Sequence, residues 1–141
     1  MLGLLQRVTQ ASVTVDSKVI SSISRGLLVL VGVQPADDDV SAARLLERLL
    51  GYRVFPDAAG KMNLSLRDVK GGLLLVPQFT LAADTRSGTR PGFSTAATPA
   101  QARALFEQLL RLARAAHPDV GCGLFGADMQ VALINDGPVT F

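Results

Sequence analysis

Three stretches of this chain set side by side residues whose types and spacing could do chemistry. In Pro77-Gln78-Phe79-Thr80-Leu81 a proline and an amide follow directly on the apolar run Leu73 to Val76. Proline has no N–H, so it should end a ladder or sit at an edge or bulge, leaving nearby backbone N–H groups free to point elsewhere. Between Ala83 and Phe93, Arg86 and Arg90 stand in a polar, glycine-containing loop, where two guanidinium forks suit phosphate contacts. Asn135-Asp136-Gly137-Pro138-Val139-Thr140 is the strongest turn signal in the chain, and its Gly-Pro bond is a candidate for a cis peptide. Each stretch also fits a plainer reading: a bulge with a satisfied glutamine, a solvated loop, a tight turn between two terminal strands.

Side chains for acid–base or nucleophilic work are scarce. The single histidine, His117, precedes Pro118 at an expected helix end, where it would cap carbonyls. The single cysteine, Cys122, lies between two glycines with no second histidine to activate it. One cysteine excludes an internal disulfide and a thiolate zinc cage, and one histidine removes most metal sites and the usual acid–base dyads. Thr80 and Thr140 carry hydroxyls without an obvious base partner. Asp37 to Asp39 reads as a helix cap, because a calcium loop would be longer and contain glycine. No metal and no cofactor are expected.

The elements that position these residues follow from patterning. A chain of 141 residues, 48% hydrophobic and 18% charged, fits one domain burying about two-thirds of its unfolded surface. No apolar run reaches the roughly 18 residues of a membrane helix, and the start carries no export signal, so the cytosol is the expected compartment. A net charge of +2 is too small to hold nucleic acid through bulk field, so any RNA contact must come from a local cluster. Alternation over Leu2 to Val15, a turn at Asp16-Ser17-Lys18, and strands over Val19 to Ile23 and Gly26 to Val33 suggest a three-strand meander. Asp37 to Asp39 then caps a helix with Val40, Ala43, Leu46, Leu49 and Leu50 inward. Thr98, Pro99 and a capping box closed by Gln101 start a second helix, with Leu105, Leu109, Leu112, Ala113 and Ala116 buried. Short strands are expected around Tyr52 to Phe55, Leu73 to Leu81, Gln130 to Asn135 and Val139 to Phe141. The sum is one α+β domain over residues 1–141, a mainly antiparallel sheet or open barrel covered by two amphipathic helices.

Taken together the motifs resemble the D-aminoacyl-tRNA deacylase family from end to end. The matching segments are Gln6-Arg7-Val8 with Ala11 to Val15, Gly60 to Leu66, Gln78-Phe79-Thr80-Leu81 with Asp84-Thr85-Arg86, Arg90-Pro91 with Phe93-Ser94, Phe125 to Met129, and Asn135 to Thr140. The family signature joins a Ser-Gln-Phe-Thr-Leu segment to Asn-x-Gly-Pro-Val-Thr. This chain keeps the second whole and departs once in the first, with Pro77 where the family usually has serine.

The resemblance implies a homodimer that hydrolyses the ester between a D-amino acid and the 3′ terminal adenosine of tRNA. Gly137 and Pro138 of one subunit, joined by a cis bond, would enter the other subunit's site, where their carbonyls exclude an L side chain by collision. Such a filter cannot reject glycine, so mischarged glycyl-tRNA is an expected second substrate. The ester is already activated and the ribose 2′-hydroxyl can assist water, so the protein needs only to position the ester and hold the oxyanion. Backbone N–H groups around Gln78 and Phe79 are the expected oxyanion donors, with Phe79 near the adenine and Thr80 the alternative nucleophile. Arg7, Pro77, Met129 and Asn135 would support the site, and Arg86 and Arg90 would contact tRNA. Because proline lacks the N–H and hydroxyl of serine, Pro77 opens two further readings: a non-catalytic tRNA-binding relative, and a deacylase tuned to another mischarged aminoacyl-tRNA.

Overall fold

The computed structural model of the chain describes residues 1–141. β1 (Leu2–Val15) and β2 (Lys18–Ile23) are joined by Asp16 and Ser17, whose φ angles of 48° and 63° are those of a two-residue hairpin turn. β3 (Gly26–Gly32) does not fold back on β2 as a meander would. Ser24 and Arg25 make only a bend, and the register that puts Ala11 opposite Ile23 continues into Val8 opposite Gly26. β2 and β3 therefore lie end to end along one edge of β1. The other edge of β1 carries β8 (Gln130–Thr140), one strand where two were expected.

After β3 come α1 (Asp39–Gly51), the small hairpin β4 (Phe55–Pro56) and β5 (Met62–Leu64), and the single turn α2 (Leu66–Val69). β6 (Gly72–Pro77) then returns parallel to β3, and α3 (Pro99–Ala116) leads to β7 (Val120–Cys122), parallel to β6. The expected α+β class holds, with a mixed sheet: antiparallel around β1, parallel wherever a helix carries the chain back across it. β3 and β6 start so close that a Cβ on Gly26 would lie 2.0 Å from the Gly72 carbonyl oxygen, a contact only glycine permits.

Strand alternation divides the core in two. Leu5, Leu27, Val29, Leu73 and Leu75 face the helices and pack under Ala42, Leu46, Leu49 and Leu50 of α1 and Phe106, Leu109 and Ala113 of α3. Val8, Val13, Ile23, Leu28, Leu74 and Val76 face the other way and close on Met129, Val131 and Leu133, which curls the sheet into a nearly closed barrel. The helix stripes differ in detail from those the sequence suggests. Val40 is 66% exposed and Ala43 is exposed, while Ala42 turns inward. In α3 Phe106 is buried and Ala116 is not, and Gln101 does not close a capping box: its side chain donates to the carbonyls of Pro35 (2.9 Å) and Asp37 (3.3 Å), tying α3 to the loop before α1. No helix is long and apolar enough to cross a membrane.

Candidate active site

The sheet ends in the segment Pro77 to Ala82. Leu73 N–H and the Leu75 carbonyl bond the β7 side, at Asp119 and Gly123, whereas Gln78 N–H donates to the Val31 carbonyl of β3 at 2.8 Å. In a parallel ladder successive N–H groups alternate between neighbours. The N–H that Pro77 lacks would thus aim past the end of β7, and the proline interrupts no ladder. A Cβ on Gly123 would fall 2.9 Å from Met129 Sδ and 3.2 Å from Pro77 Cδ, so Pro77, Gly123 and Met129 converge there. Phe79–Ala82 follows as one 3-10 turn in place of the expected continuation of the strand.

The first N–H groups of such a turn have no partner inside it. Phe79 N–H and Thr80 N–H donate to no acceptor in the chain, while Gln78 N–H is committed to β3. The free donors therefore sit one residue later than the Gln78–Phe79 pair the sequence reading favoured. Gln78 Nε2 donates to Thr80 Oγ1 at 2.5 Å, and no histidine, carboxylate or lysine hydrogen-bonds either side chain. Phe79 is 56% exposed beside Phe93, their ring centroids 5.0 Å apart and tilted by 55°. This presents an apolar aromatic step next to unpaired N–H groups. Phe93 is absent from the expected site, although Phe93-Ser94 is among the segments that carry the resemblance.

The second group is an excursion of β8. Gln6 faces Thr140 and Val8 faces Asn135, so two steps along β1 oppose five along β8. The surplus residues loop out and are held at the neck by Asn135, whose Nδ2 donates to Thr140 Oγ1 (2.8 Å) and whose Oδ1 accepts from Val139 N–H (3.1 Å). From beneath, the buried Arg7 guanidinium donates Nη1 to the Val54 carbonyl (2.7 Å) and Nε to the Asp136 carbonyl (3.1 Å), and pairs with Asp136 Oδ2 at 3.3 Å. Gly137 has φ of 132° and its bond to Pro138 is cis. A Cβ there would lie 2.7 Å from Val139 Cγ2 and 3.2 Å from Arg7 Nη2, so a side chain meets both strain and collision. Val54 and Asp136 complete this clamp; Asp136 lies in the turn stretch the sequence marks, whereas nothing in the sequence marks Val54.

Within one chain the two groups stay apart. Thr140 faces Gln6, Gln6 faces Leu28 and Leu28 lies beside Leu74, while Gln78 is further along β6. Three strand spacings of about 4.8 Å and four residues at about 3.3 Å leave roughly 19 Å of sheet surface between Thr140 and Gln78. The third group, the loop from Asp84 to Gly92, is pinched by reciprocal backbone bonds of 2.8 and 2.9 Å. Arg86 does not stand free in it: Nε and Nη2 grip the Asp84 carboxylate at 2.9 and 2.6 Å. That guanidinium, with the Arg86 N–H, holds the Asp84 carboxyl below its usual pKa, and the carboxylate holds Arg86 above its own. Arg90 is exposed and forms no ion pair in the chain. His117 is buried with its Nε2 on the Gly71 carbonyl at 2.7 Å, locking the end of α3 to β6.

The architecture and motifs have known counterparts. A family model described as D-Tyr-tRNA(Tyr) deacylase matches residues 4–141. A D-aminoacyl-tRNA deacylase of Pseudomonas paraeruginosa is 66% identical over the whole chain and 97% of that protein. One of Pseudomonas syringae pv. tomato is 65% identical with the same coverage. Among solved structures, one titled c-Myc DNA Unwinding Element Binding Protein superposes with a TM-score of 0.94 at 38% identity, covering 99% of this chain and 95% of that one. A probable eukaryotic D-amino acid tRNA deacylase shares the fold at 17% identity, with a TM-score of 0.83 and 95% and 93% coverage. With the signature segments folded into a ladder-end turn and a clamped Gly-Pro excursion, and relatives matched over 97% of their length, the chain belongs to the D-aminoacyl-tRNA deacylase family.

Proposed function

We propose that the protein hydrolyses D-aminoacyl-tRNA, and that a homodimer builds each active site from the Phe79 turn of one subunit and the Gly137–Pro138 excursion of the other. The carrying observation is the separation of these two groups within one chain, each rigidly held: a second copy supplies what the first cannot bring near itself. In this reading the unpaired N–H groups of Phe79 and Thr80 receive the oxyanion as water attacks the ester. Phe79 offers a face for the terminal adenine, and the tRNA 2′-hydroxyl assists the water. The carbonyls of Gly137 and Pro138, immobilised by Arg7 and Asn135, leave room for hydrogen but not for an L side chain. Glycyl-tRNA passes the same filter. Translation is the process served and the cytoplasm the place.

Pro77 is compatible with turnover, because the N–H it lacks would point past β7 rather than toward the free donors of the turn. Single-turnover hydrolysis of D-Tyr-tRNA, glycyl-tRNA, L-Ala-tRNA and L-Tyr-tRNA by the purified protein tests the proposal. Fast cleavage of the first two alone supports it. Binding without cleavage would indicate a non-catalytic relative, and preference for L-alanyl ester a differently tuned deacylase.

A further inference from the structure

A cleft of about 680 Å³ opens between α1 and the first residues of β1, lined by Arg44, Arg48 and Tyr52 on one side and Met1, Leu5 and Phe141 on the other. Arg44 and Arg48 are one helical turn apart and share a face. Both are exposed, and neither lies within 4.0 Å of a carboxylate oxygen. Tyr52 and Phe141 are 45% and 63% exposed beside them. Asp37 and Asp38 also line the cleft, Asp37 paired with a cation and Asp38 a carboxylate without one. The Met1 ammonium and Gln34 N–H bind Asp37, and the Ser41 N–H and hydroxyl bind Asp38 at the start of α1, which keeps the Asp38 carboxyl below its usual range. With Asp37 offset by the Met1 ammonium, two guanidinium groups stand against the single remaining carboxylate of Asp38, so the cleft keeps a positive excess flanked by two exposed rings.

Phe141 is tied to Leu5 by reciprocal backbone bonds of 2.7 and 2.9 Å and stands three positions after Pro138. Wherever the Gly137–Pro138 excursion goes, the cleft goes with it. We infer that this cleft is a docking groove for the tRNA backbone just beyond its 3′ end, with Arg44 and Arg48 contacting phosphates and Tyr52 and Phe141 offering stacking faces. The inference rests on the proposed composite site: a subunit that lends its excursion to its partner presents the α1 cleft alongside the partner's substrate. Charge complementarity selects the occupant, since paired guanidinium groups beside aromatic rings are the chemistry of RNA strands. It also explains how a chain of net charge +2 holds RNA, through a local pair rather than a bulk field.

The test is the double variant Arg44→Gln/Arg48→Gln, assayed on D-Tyr-tRNA and on D-tyrosine esterified to a CCA trinucleotide. KM for the full tRNA is expected to rise about tenfold while kcat changes less than twofold, and the effect on the trinucleotide ester to be far smaller. The salt dependence of binding to uncharged tRNA should also flatten, the slope of log affinity on log salt falling by about 1.4 to 1.8 for two lost phosphate contacts. Equal losses on both substrates, or an unchanged KM and salt slope, overturn the inference. Dissociation of the variant into monomers on sedimentation also overturns it, assigning the cleft to the second copy instead. A wild type inactive on D-Tyr-tRNA would refute the proposed activity alone, because the salt slope with uncharged tRNA still reads the cleft.

Discussion

Replacing Arg7 with methionine isolates the clamp under the Gly-Pro excursion. Arg7 is only 9% exposed and its guanidinium makes a buried bond to the Val54 carbonyl, so its loss strands an acceptor inside the protein at about 1–3 kcal/mol. The contribution from Asp136 is smaller. Its side chain is 39% exposed, so water replaces the guanidinium there and the ion pair is worth under about 1 kcal/mol. Arg7→Met should therefore cost about 1–4 kcal/mol in all, which for a domain of this size lowers Tm by roughly 4 °C per kcal/mol. Asp136→Asn should cost under about 1 kcal/mol, because Nε still reaches the Asp136 carbonyl. Urea and thermal unfolding of both variants, followed by D-Tyr-tRNA and L-Tyr-tRNA hydrolysis by the folded protein, make the comparison. Arg7→Met should lose D-over-L selectivity even where it remains folded. An Arg7→Met protein of unchanged stability and selectivity, or an Asp136→Asn protein as damaged as it, would show that Arg7 does not hold the excursion.

Thr80→Ala should retain most single-turnover hydrolysis, since the Thr80 hydroxyl meets only the Gln78 amide and no base; loss of all activity would favour a threonine nucleophile. Pro77→Ser should leave turnover within about twofold and lower stability by about 0.4–1 kcal/mol through added freedom of the unfolded chain, measured by deacylation and urea midpoints; an inactive wild type restored by this change would show that the serine is needed. Asp68 is held below the usual carboxylate range first by the Ser65 N–H and then by the Ser65 hydroxyl, as it caps α2. Its contribution is then complete above about pH 4 and lost as pH falls through the lowered value, so Asp68→Asn, which keeps a capping oxygen, should flatten the acid limb of stability below pH 4 in circular dichroism titrations.

What the sequence reveals of this site is the part encoded locally. Pro77 announces the last residue of a strand because proline fits a sheet where its missing N–H has no partner to meet, and Asp37 to Asp39 and Thr98-Pro99 announce helix starts through equally local effects. Gly137-Pro138 reads equally well as a turn between two strands, and only pairing with β1 shows it to be a loop thrown out of a single strand. The commitment of Gln78 N–H to Val31 and the reach of Arg7 to Val54 and Asp136 join residues far apart in the chain, which leave no periodic trace. Arg86 illustrates the same limit at short range. Its charge suggests phosphate, whereas its geometry ties it to Asp84 two residues before it. The parallel pairing of β3 with β6 was hidden because an apolar strand covered on both faces looks alike in either direction.

Whether each active site is shared between two subunits is decided by mixed dimers. Phe79→Pro removes one of the two free N–H groups together with the exposed ring, and Gly137→Ala places a side chain where φ is 132° and Arg7 lies 3.2 Å away; each homodimer should be inactive on D-Tyr-tRNA. After denaturing and refolding an equal mixture, random pairing gives heterodimers with one intact composite site, so D-Tyr-tRNA hydrolysis should return to about a quarter of wild type. Activity no greater than that of the two separate homodimers would rule out a site shared between subunits.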